Sequence, residues 1–279
     1  MPPFDPVQGA PSTRRGANGV SIVKGHAYGN DFLLIPESDV GGRDLPALAR
    51  AMCSRNEGIG ADGLMVYALG SSAVRMRLFN ADGSGSEVSG NGIRCLAALF
   101  VRENPGSRQI TIETPAGRKV LELQDESGDT LTFRASMGMP QDVRPIELVA
   151  AGEKVQAVAL SVGNPQCVLL DEPLLESRLH ALGPAIEHHP KFPDRTNVSF
   201  VKIETPHRIR MLIWERGVGP TQASGTGACG AAVAAASYGG ASRDIEVIAP
   251  GGSQRVEWLD DGMYLTGWAR LVFEGRWLL

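Results

Sequence analysis

The feature that most constrains this chain is an internal repeat. The stretch VRMRLFNADGSGSEVSGNG from Val74 aligns without a gap on IRMLIWERGVGPTQASGTG from Ile209, giving 19 positions at a constant offset of 135 residues in a chain of 279. Apolar strand positions match in type, Arg75-Met76 matches Arg210-Met211, and Ser89-Gly90-x-Gly92 matches Ser224-Gly225-x-Gly227. Each copy then runs into an alanine-rich helical stretch, IRCLAALFV or ACGAAVAAASY. A glycine-rich loop recurs by chance; strand, loop length and helix together do not. The repeat predicts two similarly built halves, each presenting a strand, a nine-residue step and a helix N-terminus.

Around the repeat lie short alternating runs, LMVYALGSSAVRMRLF, RQITIETPAGRKVLELQDESGDTLTFRASMG, VSFVKIETPHRIRMLIW and QRVEWLDDGMYLTGWARLVFEG, broken at GSS, PAG, ESGD and DDG. That pattern predicts antiparallel hairpins with few helices. The class is therefore α+β: two pseudo-symmetric domains, each a curved antiparallel or mixed sheet around a central helix, with a cleft between them. The expected limits are a flexible extension over residues 1–20, a first domain over 21–138 completed by the last strand, 269–279, and a second over 139–268.

Length and 43% apolar residues allow two domains with substantial cores. A net charge of −4 with interspersed signs gives no basic stripe for nucleic acid or a membrane surface, so a small molecule is the expected partner. No apolar run spans a bilayer, and the start lacks the apolar core of a secretory signal. Cys53, Cys95, Cys167 and Cys229 form no CxxC pair, and no His/Cys spacing supports zinc, so the expectation is a reducing, cytoplasmic protein without a metal.

Two helix N-termini aimed into one cleft offer unpaired N–H groups and partial positive charge, which suit a carboxylate. An acid/base side chain at each helix start would stand on opposite faces of a bound carbon, the geometry of racemisation or epimerisation. The same N–H groups would stabilise the extra charge on the carboxylate as a Cα proton leaves. Serine before a helix is also an ordinary N-cap, and from the repeat alone capping weighs somewhat more. GTGACG, residues 225–230, matches a dinucleotide fingerprint, but VGPTQAS before it does not read as a strand and no βαβ pattern follows.

GNDFLLI from Gly29, RNEGIGADGLM from Arg55, NADGSGSEVSGNGIRC from Asn80, GNPQCV from Gly163, TNVSFV from Thr196 and ERGVGPTQASGTGAC from Glu215 resemble the successive motifs of the diaminopimelate epimerases. The resemblance runs from about Ile22 to the C-terminus. It implies a cofactor-independent epimerase, commonly a homodimer, acting on a diamino-dicarboxylate by two bases at positions 89 and 224. It carries Asn30, Asn80, Asn164, Asn197, Glu215 and Arg216 onto substrate-holding positions. Gly90, Asn91, Gly225 and Thr226 fall on the loops that grip the reacting α-carboxylate and α-amino group.

Three departures stand out: the family's two catalytic cysteines are Ser89 and Ser224, its Asn-Pro-His reads Asn-Pro-Gln at Gln166, and its Gly-Glu-Thr carries Pro220. A helix N-terminus brings a thiol into the neutral range, whereas a serine hydroxyl needs an adjacent base; no histidine lies near either serine in sequence. The serines are either deliberate replacements or native to a divergent member, and Gln166 and Pro220 weigh toward the second. The alternatives are a proline- or hydroxyproline-type racemase or epimerase and a non-catalytic amino-acid-binding homologue.

Overall fold

The computed structural model describes residues 19–70, 73–170 and 173–278. Its first half runs β1 (Gly19–Ala27), β2 (Asn30–Pro36), α1 (Leu45–Cys53), β3 (Gly63–Leu69), β4 (Val74–Asn80), β5 (Gly85–Ser86), α2 (Gly90–Glu103), β6 (Gln109–Thr114), β7 (Gly117–Ser127) and β8 (Thr130–Gly138). β9 (Gln141–Ala150) leads into the second: β10 (Glu153–Ser161), β11 (Pro165–Leu170), α3 (Glu176–Glu187), β12 (Asn197–Thr205), β13 (Arg208–Glu215), β14 (Gly219–Thr221), α4 (Gly225–Tyr238), β15 (Asp244–Ala249), β16 (Gly252–Leu259) and β17 (Gly262–Leu278).

The repeat is realised pairing by pairing. β1–β2 and β10–β11 are antiparallel, β2–β3 and β11–β12 are parallel, and β3–β4 and β12–β13 are antiparallel. β4 and β6 are parallel across α2, as β13 and β15 are across α4. The matched strands bury matched positions: Val74, Met76 and Leu78 in β4, and Ile209, Met211 and Ile213 in β13. Period-two alternation puts those three on one face of each strand. The helices α2 and α4 are each 14 residues long and pass through the two cores. In α4 every residue from Gly227 to Ala235 is buried, and its run of alanine and glycine lets strands close in on all sides.

β17 belongs to both halves. Its start pairs with β16 and β8, and its end pairs with β1 from His26↔Arg270 to Gly19↔Leu278. The β1–β2 connection is a two-residue turn in which Tyr28 (φ 57°) and Gly29 (φ 84°) are both left-handed, the geometry of a type I′ hairpin. The strain at Tyr28 is held by tertiary contacts. Its hydroxyl donates to Ser253 O at 2.9 Å and accepts from Trp268 N–H at 3.2 Å, tying the first hairpin to the second half.

Two sequence expectations need correction. Residues 219–221 form β14, antiparallel to β13, and β13–α4–β15 is a parallel crossover. The dinucleotide reading still fails, because all of residues 225–230 lie inside α4 and leave no glycine loop at the helix start. The extension expected over 1–20 lies outside the described residues as far as Asn18, while Gly19 and Val20 open β1 and Val20 is fully buried.

Candidate active site

In each half nine residues separate the strand end from the helix, 81–89 and 216–224. Ser89 and Ser224 are both extended N-caps, and each Oγ accepts a hydrogen bond at 3.2 Å, from Gly92 N–H and Gly227 N–H respectively. The helix cap and the position where the resemblance expects a base therefore coincide. The hydroxyl satisfies one orphan donor, and the N–H groups of Gly90 and Asn91, and of Gly225 and Thr226, have no acceptor within their helices. Gly92 lets the α2 opening turn sit directly on β3, since a Cβ there would come within 2.3 Å of Met65 Cε.

The first-half wall is a hydrogen-bonded chain. Asn91 Nδ2 donates to Asn30 Oδ1 at 3.2 Å, and Asn30 Nδ2 donates to Asp62 Oδ2 at 2.7 Å. Asp62 also accepts from the backbone of Asp31 and from Arg55, which in turn bonds the Asp31 carboxylate. Burial pushes the Asp31 carboxyl up, but hydrogen bonds from Arg55 and Lys24 outweigh it and hold it below its ordinary range. Asn80 sits beside this wall at the end of β4, opposite Gly63, with its side-chain amide donated to Ser84 Oγ at 2.9 Å.

The second-half wall differs. Glu215 accepts from Thr221 Oγ1 at 2.9 Å, and the Ser224 hydroxyl is near enough to favour its charged form. Burial raises its carboxyl above the ordinary range against these two hydroxyls, and the Asp62 charge on the facing half pushes it further the same way. Among the described residues a carboxylate thus bears on Ser224 alone of the two serines. Among the described residues no titratable side chain is hydrogen-bonded to Ser89.

Thr226 Oγ1 accepts from Asn164 Nδ2 at 3.3 Å, and Asn164 Oδ1 accepts from the buried Gln166 at 2.6 Å. The Arg216 backbone N–H donates to Asn197 Oδ1 at 3.0 Å, while its exposed guanidinium bonds Asp194 O at 3.0 Å. Sequence reasoning missed Glu187, whose nearly buried carboxylate accepts from Trp214 Nε1 at 2.7 Å and Gly217 N–H at 2.8 Å, pinning the turn that carries Arg216. It also missed Asp31, Arg55 and Asp62. Opposite charges among glycines in GNDF and RNEGIGADG were the available signal.

A groove of about 490 Å³ lined by residues including Tyr28, Asp244, Glu246, Arg255 and Trp268 contains none of these side chains. Its charges neutralise one another, Arg255 with Asp244 and Arg208 with Glu246. The four cysteines are buried and unpaired, and burial pushes each thiol up to about 12, so none can supply a thiolate in place of the two serines. Among the described residues no helix is long and apolar enough to cross a membrane.

The sequence profile of diaminopimelate epimerase matches residues 22–143 and 158–272. The chain belongs to the diaminopimelate epimerase family. Diaminopimelate epimerase of Moorella thermoacetica is 42% identical over 91% of this chain and 98% of its own. That of Desulforudis audaxviator is 41% identical over 93% and 99%. Among solved structures, a predicted epimerase from Pseudomonas aeruginosa superposes with a TM-score of 0.71 at 14% identity, covering 93% of this chain and 99% of that one. A hydroxyproline epimerase from Agrobacterium vitis superposes at 0.64 and 12%, covering 95% and 92%; the family fold is shared across both.

Proposed function

We propose that this protein interconverts LL- and meso-diaminopimelate, with the reacting Cα held between the N-termini of α2 and α4. The observation that carries this reading is the pair of capped helix starts at equivalent repeat positions, each walled by amide side chains. The α-carboxylate accepts from the first-turn N–H groups, and Gly90 and Gly225 let it approach the backbone. Ser224 Oγ takes the Cα proton as its own hydroxyl proton passes to Glu215. The carbanion, its charge spread onto the carboxylate, takes a proton from Ser89 on the other face. Arg216, Asn197, Asn164 and Asn80 hold the distal ammonium and carboxylate, a set that suits an elongated substrate over a cyclic one.

With one activated serine and one unaided, the chain exchanges Cα hydrogen faster than it inverts configuration. The test is deuterium uptake at Cα of LL-diaminopimelate in heavy water, followed by NMR alongside chiral chromatography. Uptake outrunning inversion supports the reading. Binding without any uptake, in this protein and in a Ser89→Cys, Ser224→Cys variant, refutes it and assigns a binding role.

The same reading makes the protein a cytoplasmic homodimer working without a cofactor. Four unpaired cysteines support the compartment, and the exposed Val272, Phe273 and Leu278 along the end of β17 support self-association, which sedimentation velocity tests. Residues 21–138 with 269–279, and 139–268, are taken as its two domains, Gly19 and Val20 joining the first through β1; the passage of β17 between the halves supports this division.

A further inference from the structure

Arg94 is the largest fully buried side chain among the described residues, with 1% of its surface exposed. Among the described residues it has no carboxylate partner. Its Nη2 donates to Asn91 Oδ1, its guanidinium lies 5.6 Å from the Tyr28 ring centre, and its Nε has no hydrogen-bond partner at all. Cys95 and Cys229 are the other titratable groups that bear on it. Burial pushes its pKa down, yet an arginine starts so high that it stays protonated. An unpaired buried cation is among the most expensive features a core can carry, and an apolar side chain of similar volume is commonly more stable. The pseudo-equivalent position in α4 shows that alternative, since the 135-residue offset carries Arg94 onto Cys229. The cation is therefore not required by the helix-in-sheet architecture.

Its location says what it is for. Long helical side chains lean toward the N-terminus of their helix, and the bond to Asn91 puts the guanidinium beneath the first turn of α2. Asn91 then passes the contact to Asn30 and Asp62 on the cleft wall. We infer that Arg94 is a positioning residue of the reaction centre: it fixes the Asn91 amide and sets a permanent positive charge behind the N–H groups that receive the reacting carboxylate. Its missing counter-ion is the substrate anion, whose charge grows as the Cα proton leaves. This rests on the proposed function for the identity of that anion, but not for the field at the helix start.

The field is measurable without substrate. In a Ser89→Cys background the introduced thiol titrates alone, because burial pushes the four native thiols up to about 12. Adding Arg94→Met should raise the pKa of the introduced thiol by about one unit, read from thiolate absorbance or alkylation rate, and Arg94→Lys should leave it near its starting value. In the Ser89→Cys, Ser224→Cys background, Arg94→Met should lower kcat for Cα exchange about 100-fold with little change in KM, and Arg94→Lys should restore part of it. If Arg94→Met does not fold, Arg94→Gln removes the charge while keeping a donor for Asn91, and the same titration applies. A thiol pKa unmoved by removal of the charge overturns the inference, whatever happens to the melting temperature. If diaminopimelate neither binds nor exchanges in the parent variants, the substrate reading falls while the titration still decides Arg94.

Discussion

The two helix starts share a backbone and differ in chemistry. At Ser89 the cap stands beside an amide chain ending on Asp62, with a buried cation under the turn; at Ser224 it stands beside a carboxylate, over a neutral Thr226–Asn164–Gln166 chain. Apolar alternation and cap geometry are enough to duplicate a strand, a step and a helix, and neither is touched by the residues that set proton affinity. A duplicated scaffold can therefore hold an asymmetric site, with each wall tuned separately to its own face of one carbon.

The sharpest way to break this contrast is to give both starts the same acidic group. Ser89→Cys with Ser224→Cys should raise Cα exchange by about 1,000-fold, because a thiol at a helix N-terminus ionises near neutrality without help; NMR in heavy water reads it. Glu215→Gln should next reduce exchange by the unmodified protein about 100-fold, with a much smaller effect once Ser224→Cys is present. Its rate profile has a definite sign. Glu215 acts as the carboxylate and its pKa is raised, so exchange climbs with pH through that raised value, and Glu215→Gln flattens the climb.

Stability runs the other way. A carboxyl with a raised folded pKa contributes stability below its unfolded pKa and loses it as pH rises through the folded one. Glu215→Gln should therefore melt higher than the parent at neutral pH, with the gap closing in acid. Glu187→Gln should weaken the second half by about 1–3 kcal/mol in urea unfolding, since the Trp214 and Gly217 donors lose a charged acceptor that is itself nearly buried. Smallest and most symmetric, Ser89→Ala and Ser224→Ala should each cost about 1 kcal/mol as lost caps. Unequal losses there would show that the two starts differ in structure as well as chemistry.

The features legible in the sequence are those carried by contiguous residues. The repeat foretold both helix starts, and the resemblance singled out amide residues whose hydrogen-bond partners only the fold supplies. What stayed hidden depends on partners far apart in the chain: Glu187 with Trp214 and Gly217, or Asn30 with Asp62. Glu215 was expected only to hold substrate; its place beside Ser224 follows from how the turn after β13 folds back through β14. Arg94 inside GNGIRC reads as an ordinary polar position of a helix, and only the burial of that whole turn makes its charge notable.

The pairing of β1 with β17 has a consequence in time. β1, the first described strand, takes its outer neighbour from the far end of β17, Gly19 opposite Leu278. Throughout synthesis one edge of the first sheet waits uncovered, and the loop that must close spans nearly the whole chain. Completion of the fold is thus a late, slow event with an aggregation-prone edge exposed until then. A chain cut after Gly267 keeps every candidate site residue and leaves β1 unpaired on one side.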